Sequence, residues 1–461
     1  MKANKKEDPY EEIATKIDKS TADIIASQKI SGIYIYKEKW RFYPGEQLFS
    51  HGIGFVGFRG DELAGRYGLE RFYNDVLSRK KDNAYVNFFA EVFTNITDRF
   101  FKSETKEGDI VLSIEPSVQN FLEQALATVQ GKWQSDFSGG IIIDPKTGVI
   151  YALALTPDFN INQFQKEDDL AVFQNKIVES VFEAGSVIKP LVMAAGIDAG
   201  VITPKTTYTD KGSVQVDDRT FNNFDKKARG PNTSMQEVLT QSLNTGMVFV
   251  MQQLGKDRFR DYMLGYDLGE KTGIDLPNEI SGLVSNLKST GNVAYATASF
   301  GQGIATTPIA EVKAFSTLAN GGYLITPHVV KQIKYTNGTK KDIVHEKGRQ
   351  VLKPETSEEI TRMLTTSFDI NAKEHNNLLT HYTIAGKTGT AQVAKEQGGG
   401  YYDDKHFHSF FGYFPAHDAR FLVLLFTSDP KGVNYASQTL IPPFTDIARF
   451  LISYYEIAPD R

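Results

Sequence analysis

Between residues 116 and 155 the apolar positions of this chain change their period. Val118, Phe121, Leu122, Ala125, Leu126 and Val129 recur at helical spacing, which predicts an amphipathic helix with one buried stripe. Two β-prone runs follow within Gly140 to Ala154, on either side of Asp144-Pro-Lys-Thr-Gly148. Aspartate, proline and glycine at that spacing predict a hairpin turn. The middle of the chain, roughly 187–320, is mainly helical in pattern. After Lys387 strands return, at Ser409 to Phe414 and Arg420 to Thr427, and a closing amphipathic helix carries Phe444, Ile447, Phe450, Leu451 and Tyr454. A hairpin before a helical middle and strands after it predict one sheet built from both ends of an α+β domain.

The chain ahead of this region is less regular. Short amphipathic stretches alternate with aromatic-rich segments such as Ile33 to Tyr43, and Gly65 to Leu77 predicts a turn leading into a short helix. A polar, charged stretch from Lys102 to Asp109 predicts a boundary, giving domains at 1–108 and 109–461.

Composition narrows the chemistry. At 461 residues, 41% hydrophobic and 23% charged, the chain has the make-up of an ordinary globular protein with room for more than one domain. A net charge of −5 does not suggest a nucleic-acid partner. With no cysteine, disulfides, thiolate metal sites and cysteine nucleophiles are excluded. The longest apolar runs, Val149 to Leu155 and Phe421 to Phe426, are far short of a membrane span, and the first residues lack the apolar core of a signal peptide. The chain as given is expected to be soluble, either natively or because an anchor has been removed.

Three short strings carry candidate chemistry. Ser186-Val-Ile-Lys189 follows Ala184-Gly185 and precedes a helical run, and Pro190 fits only a first helical turn, so Ser186 is expected at a helix start. There a serine and a lysine one turn apart share a face, the free backbone N–H can stabilise an oxyanion, and a buried Lys189 with a lowered pKa could take the serine proton. The plainer alternative is an N-cap serine and a surface lysine. Ser-x-x-Lys also occurs at Ser78, Ser103, Ser285 and Ser428. Ser242-Leu-Asn244 lies between helical patterns, where a hydroxyl and an amide on a tight turn can point into one cleft, or simply cap two helices. Lys387-Thr388-Gly389-Thr390 sits in a strand pattern interrupted by Gly386 and Gly389, which suits close approach of an extended peptide ending in a carboxylate, or an ordinary edge strand. Lys-Thr-Gly recurs at Lys146, inside the predicted turn, and at Lys271, in a loop.

As a set, these strings resemble those of the class B penicillin-binding proteins, monofunctional peptidoglycan D,D-transpeptidases. Glu183-Ala-Gly-Ser-Val-Ile-Lys-Pro190 is similar to the family's Glu-Pro-Gly-Ser-x-x-Lys-Pro, with Ala184 in place of proline. Ser299-Phe-Gly-Gln-Gly303 with Thr307-Pro308, Leu318 to Gly322, Ala385 to Gln392, Ser409 to Pro415 and Asp429 to Gly432 are also family-like, as are Arg41 to Gly45, His51 to Gly57 and Gly65 to Tyr73 of its pedestal region. The resemblance implies a penicillin-binding transpeptidase fold, an antiparallel sheet flanked by helices plus a helical subdomain, with an N-terminal pedestal or dimerisation-type domain that is truncated here. The membrane anchor and the Arg-Gly-x-Ile-x-Asp-Arg-x-Gly segment expected after it are missing. It places the native protein on the extracytoplasmic face of the bacterial membrane.

The resemblance also implies roles. Ser186 is the nucleophile toward a stem-peptide D-Ala carbonyl, Lys189 its base, Ser242 a proton relay, and Asn244 orients Lys189 and substrate. The N–H groups of Ser186 and Thr390 form an oxyanion hole. Lys387 supplies positive potential, while Thr388, Gly389 and Thr390 bind the substrate's carboxylate end. β-Lactams are expected to acylate the same serine. No cofactor or metal is implied, and the partner would be a polytopic membrane glycan polymerase. His406 and His408, two apart near a strand, allow a metal-ligand reading, though packing histidines are commoner. A serine β-lactamase and a non-catalytic β-lactam sensor are the alternatives.

Overall fold

The computed structural model describes residues 13–14, 17–36, 40–59, 62–78, 107–372, 379–395 and 400–461. The chain falls into two compact units, Met1–Pro44 and Gly45–Arg461. In the first, a helix at Lys19–Ser27 starts where the Asp18 carboxylate accepts the Thr21 N–H at 2.9 Å, and none of its residues is buried.

The second unit is organised on one five-stranded antiparallel sheet. Its strands are β1 (Phe137–Ile143), β2 (Ile150–Thr156), β3 (Ala385–Ala394), β4 (Tyr401–Phe414) and β5 (Phe421–Ser428), in the spatial order β3-β4-β5-β1-β2. Strands from before and after the helical middle thus feed one sheet, as the pattern predicts. β1 and β2 form the expected hairpin: the Asp144 carboxylate accepts the Lys146 N–H at 2.8 Å and Gly148 takes φ +82°, so this Lys-Thr-Gly copy is turn chemistry.

Helices that supply side chains to the cores on the two faces of this sheet include α1 (Pro116–Trp133), α2 (Lys189–Asp198), α3 (Asn244–Leu254), α4 (Pro308–Ala319), α5 (Pro354–Asn371) and α6 (Ala436–Tyr454). Every residue of β5 is buried, because its alternating side chains enter two different cores. Val423 and Leu425 pack with Val118, Leu122 and Leu126 of α1 and Phe444, Ile447 and Leu451 of α6. Leu422, Leu424 and Phe426 face the other way, into the core that also holds Leu191 and Val192 of α2, Met247 of α3 and Phe315 of α4. Each such side chain contributes roughly 1.5–3 kcal/mol by leaving water. The sheet is therefore a middle layer, and its second face presents β3 to the helical side.

One feature departs from the sequence pattern. The stretch expected to be mainly helical contains four short strands, Thr207–Asp210 paired with Gly230–Ser234 and Ser213–Val216 paired with Arg219–Asn222. Most of their side chains are exposed or half-buried, so no alternating apolar signal marks them. The boundary expected at 108/109 falls at the first residues of a strand, Gly108–Leu112, that pairs with Val330–Tyr335. Compactness, a separate property, divides the chain at 44/45, and residues 45–59 and 62–78 are tied to the main body. Phe49 N donates to Glu123 Oε1 at 2.8 Å, Tyr73 OH donates to Asp275 Oδ2 at 3.3 Å, and Phe49 and Leu69 are buried in the main core.

α4 carries an unusual buried carboxyl. Glu311 is 3% exposed, its one side-chain partner among the described residues is the Thr306 hydroxyl at 2.9 Å, and burial pushes its carboxyl up to about 8. Its folded-state pKa lies above the unfolded one, so the folded state holds the proton more tightly. Stability is unimpaired below about pH 4.5, falls as pH rises toward 8, and has lost on the order of 5 kcal/mol above that. Glu311→Gln is expected to flatten this slope, stabilising the protein at pH 9 far more than at pH 5 in urea unfolding. Parallel pH profiles for the two proteins would refute it.

Candidate active site

Ser186 lies in one 3-10 turn, Gly185–Ile188, that runs into α2 at Lys189 with Pro190 in its first turn. The helix start read from proline is thus where the structure puts it. The turn is set by Gly185, which takes φ +61° and whose N–H bonds Gly301 O at 3.0 Å. A Cβ on Gly185 would meet Ala391 Cβ at 3.0 Å, and one on Gly389 would meet Ser409 Oγ at 2.5 Å and Ala184 O at 3.1 Å. The two glycines let the serine turn lie directly against β3.

Lys189 is fully buried. Its Nζ donates to Ser242 O at 2.6 Å, Ser242 Oγ at 3.1 Å and Asn244 Oδ1 at 2.8 Å. Burial, reinforced by the nearby Lys387 cation, holds its amine well below the ordinary lysine range. Lys387 reaches the same hydroxyl from β3, donating to Ser242 Oγ at 3.0 Å and to Thr388 O at 2.9 Å. Burial pushes it down to about 7. Ser242 thus bridges two desolvated lysines brought together from positions 198 residues apart in sequence (387 − 189).

Ser242 itself takes φ +55°, unusual for a residue with a side chain and costing on the order of 1–2 kcal/mol. The Leu243 N–H bonds Val238 O at 2.9 Å and holds this tight turn between helices. The left-handed bend presents the carbonyl and hydroxyl of Ser242 to the same amine. Asn244 opens α3 and its Nδ2 donates to Asn222 O at 2.9 Å. The loop carrying Asn222 is fixed by Asp210, which is buried and accepts from Asn223 Nδ2, Gly212 N, Arg229 N and Thr245 Oγ1 at 2.9–3.1 Å. Sequence reasoning missed this support. Its short strands carry no clear period, and Asp210 and Asn223 look like ordinary turn residues.

Ser186 Oγ is half-buried and, among the described residues, makes no hydrogen bond. Lys189 points at Ser242 and Asn244, and no hydrogen bond joins it to Ser186 despite their one-turn spacing. Along β3, the edge strand of the sheet, Lys387 and Gly389 lie on the serine side. Thr388 and Thr390 alternate with them, and Thr390 Oγ1 accepts the Ala436 N–H at the start of α6 at 3.2 Å.

The other copies of the strings separate clearly. Ser285 and Lys288 are both exposed, and Lys431 is exposed and paired with Asp429. Thr272 of the Lys271 copy donates to Glu279 Oε1 at 2.6 Å, which is loop chemistry. Lys81 and Ser103 lie outside the described residues. His408 is buried with Nδ1 3.0 Å from Thr439 Oγ1, and its ring centre is 6.4 Å from that of His406. Among the described residues no group of three or more side chains is placed to hold a metal ion.

Residues 139–448 match the family model of the penicillin binding protein transpeptidase domain. The chain belongs to this family. Among relatives of this penicillin-binding transpeptidase, stage V sporulation protein D of Bacillus subtilis is 31% identical over 436 residues, covering 93% of this chain and 66% of that protein. The peptidoglycan D,D-transpeptidase MrdA of Acinetobacter baumannii is 27% identical over 485 residues, covering 94% and 70%. Penicillin binding protein 3 of Mycobacterium tuberculosis, solved as its ampicillin complex, shares the fold with a TM-score of 0.77 at 23% identity, covering 92% of this chain and 91% of that one. In this penicillin-binding transpeptidase no helix among the described residues is long and apolar enough to cross a membrane.

Proposed function

We propose that this chain is a serine D,D-transpeptidase that cross-links peptidoglycan stem peptides through an acyl-enzyme and is covalently inhibited by β-lactams, in cell-wall synthesis for division or elongation. The observation that carries this reading is the pair of buried lysines converging on Ser242 Oγ beside the Ser186 turn. Neutral Lys189 is the base that takes the Ser186 proton as Oγ attacks the penultimate D-Ala carbonyl. The N–H groups of Ser186 and Thr390 stabilise the oxyanion, each worth about 3 kcal/mol. Ser242 relays the proton to the departing D-Ala nitrogen, and Asn244 orients Lys189 and substrate. Lys387, Thr388, Gly389 and Thr390 receive the terminal carboxylate along the edge strand. An amine from a neighbouring stem peptide then attacks the ester carbonyl, takes the acyl group and returns the proton to the serine.

The proposed setting is the extracytoplasmic face of the membrane, with a polytopic glycan polymerase as partner, residues 1–108 as a pedestal-type domain and 109–461 as the transpeptidase domain. A chromogenic cephalosporin is expected to give a stoichiometric burst followed by slow turnover, and a D-amino acid is expected to be transferred onto a stem peptide. Rapid cephalosporin turnover would favour a β-lactamase, and acylation without transfer a sensor.

pH gives a second check. The Lys189 base is available above its lowered pKa, so the acylation rate constant falls as pH drops through it. The Lys387 cation is present in the free protein below about 7, so affinity for an anionic penicillin weakens as pH rises past that value. Lys387→Gln is expected to remove the alkaline loss of affinity and to keep the acidic loss of rate. An alkaline limb that survives in Lys387→Gln would assign it to another group.

A further inference from the structure

Glu183 stands three residues before the nucleophile, and the acyl-transfer chemistry gives it no task. Its carboxylate gathers two other segments. Oε1 accepts the Gly303 N–H at 2.8 Å, and the Tyr401 hydroxyl lies 3.0 Å from both carboxylate oxygens. Gly303 takes φ +72°, and its carbonyl accepts from Asn286 Nδ2 at 2.5 Å. Tyr401 is the first residue of β4 and pairs with Ala394 near the end of β3.

The surrounding backbone shows what this carboxylate sets. Residues 182 and 185 are docked on the 301–306 segment by main-chain bonds: Phe182 and Thr306 exchange N–H···O=C at 2.9 Å each way, and Gly185 N reaches Gly301 O at 3.0 Å. The fit is close, since a Cβ on Gly301 would lie 2.0 Å from Gly185 O. These bonds hold one side of the serine turn. On its other side it meets β3 and β4 through small groups, Ala184 O with Ser409 Oγ at 3.4 Å and Gly185 against Ala391. Glu183 is the side chain that bonds both sides at once, to the 301–306 segment and to the start of β4.

We propose that Glu183 is a positioning residue, with Tyr401 as its second arm: the carboxylate bridge fixes the separation between the Ser186 turn and β3. Ser186 Oγ and its N–H ride on the turn, while the N–H of Thr390 and the Lys387 cation ride on the strand. A change in that separation misaligns the acyl carbonyl without removing any group that touches the ligand. The penalty therefore falls on the chemical step more than on reversible binding. This rests on the reading of Ser186 as the acylated nucleophile.

The test uses the whole chain and a fluorescent penicillin, separating the dissociation constant of the reversible complex from the acylation rate constant, with melting temperatures alongside. Wild type is expected to be labelled at Ser186. Glu183→Ala is expected to lower the acylation rate constant roughly 10- to 100-fold with the dissociation constant within about 3-fold. Glu183→Gln, which keeps a carbonyl for the Gly303 N–H, is expected to recover much of that rate. Tyr401→Phe is expected to lose rate by less than Glu183→Ala. The double variant is expected to be no slower than Glu183→Ala alone, because both changes break one bridge. Rates equal to wild type in Glu183→Ala, or a loss confined to the dissociation constant, would overturn the proposal. So would independent, multiplying effects of the two changes. Should Glu183→Ala fail to fold, Tyr401→Phe still decides: acylation unchanged from wild type in that variant removes the bridge. Wild type unlabelled at Ser186 removes the functional reading, and this proposal with it.

Discussion

Ser186→Ala is expected to abolish covalent labelling by penicillin while leaving folding and reversible ligand binding nearly intact. The substitution removes a half-buried hydroxyl with no hydrogen bond among the described residues, in a 3-10 turn that alanine adopts readily. Stability should therefore move by no more than about 0.5 kcal/mol. The N–H of residue 186 stays in place, so a carbonyl can still be held, but no ester can form. Mass spectrometry of the penicillin-treated variant checks this directly. An adduct in Ser186→Ala mapped to Ser103 or Ser285 would show that another copy of the motif carries the chemistry.

Lys189→Met is the second large effect. Methionine matches much of the lysine stem but supplies no base, and the acylation rate constant is expected to fall about 10³-fold or more. The variant also leaves Ser242 O and Asn244 Oδ1 without the donor that now sits at 2.6 and 2.8 Å. That costs roughly 1–3 kcal/mol, offset in part by no longer burying an amine. Stopped-flow acylation together with thermal melting separates the two consequences. Acylation within ten-fold of wild type in a folded Lys189→Met protein would remove Lys189 from the role of base and leave Lys387 as the alternative.

The architecture was legible wherever burial writes a period. The α1 stripe is visible because one face of that helix meets the sheet, and Val118, Leu122 and Leu126 are buried as the spacing requires. The continuous run Phe421 to Phe426 gives only burial, not a side, since Leu422 and Val423 enter different cores. The short strands at 207–222 were hidden for the converse reason: they bury too little to leave an alternating trace. The boundary expected at 108/109 and the division by compactness at 44/45 differ for a physical reason. A polar stretch marks exposed chain, whereas compact units are set by long-range packing such as Phe49 and Leu69 in the main core.

For the site, the sequence by itself determined local conformation: a serine at a helix start before Pro190, a tight turn at Ser242, and a glycine-interrupted strand at Lys387. Those follow from nearest-neighbour sterics and need no partner. Flanking residues and the family resemblance already singled out one of five Ser-x-x-Lys copies and one of three Lys-Thr-Gly copies; that Lys189 and Lys387 meet at the Ser242 hydroxyl was decided by tertiary structure. So was the chemistry of the lysines. An amine's pKa falls when water is excluded from it or a second cation is close, and both conditions at Lys189 arise from packing α2, α3 and β3 against one another.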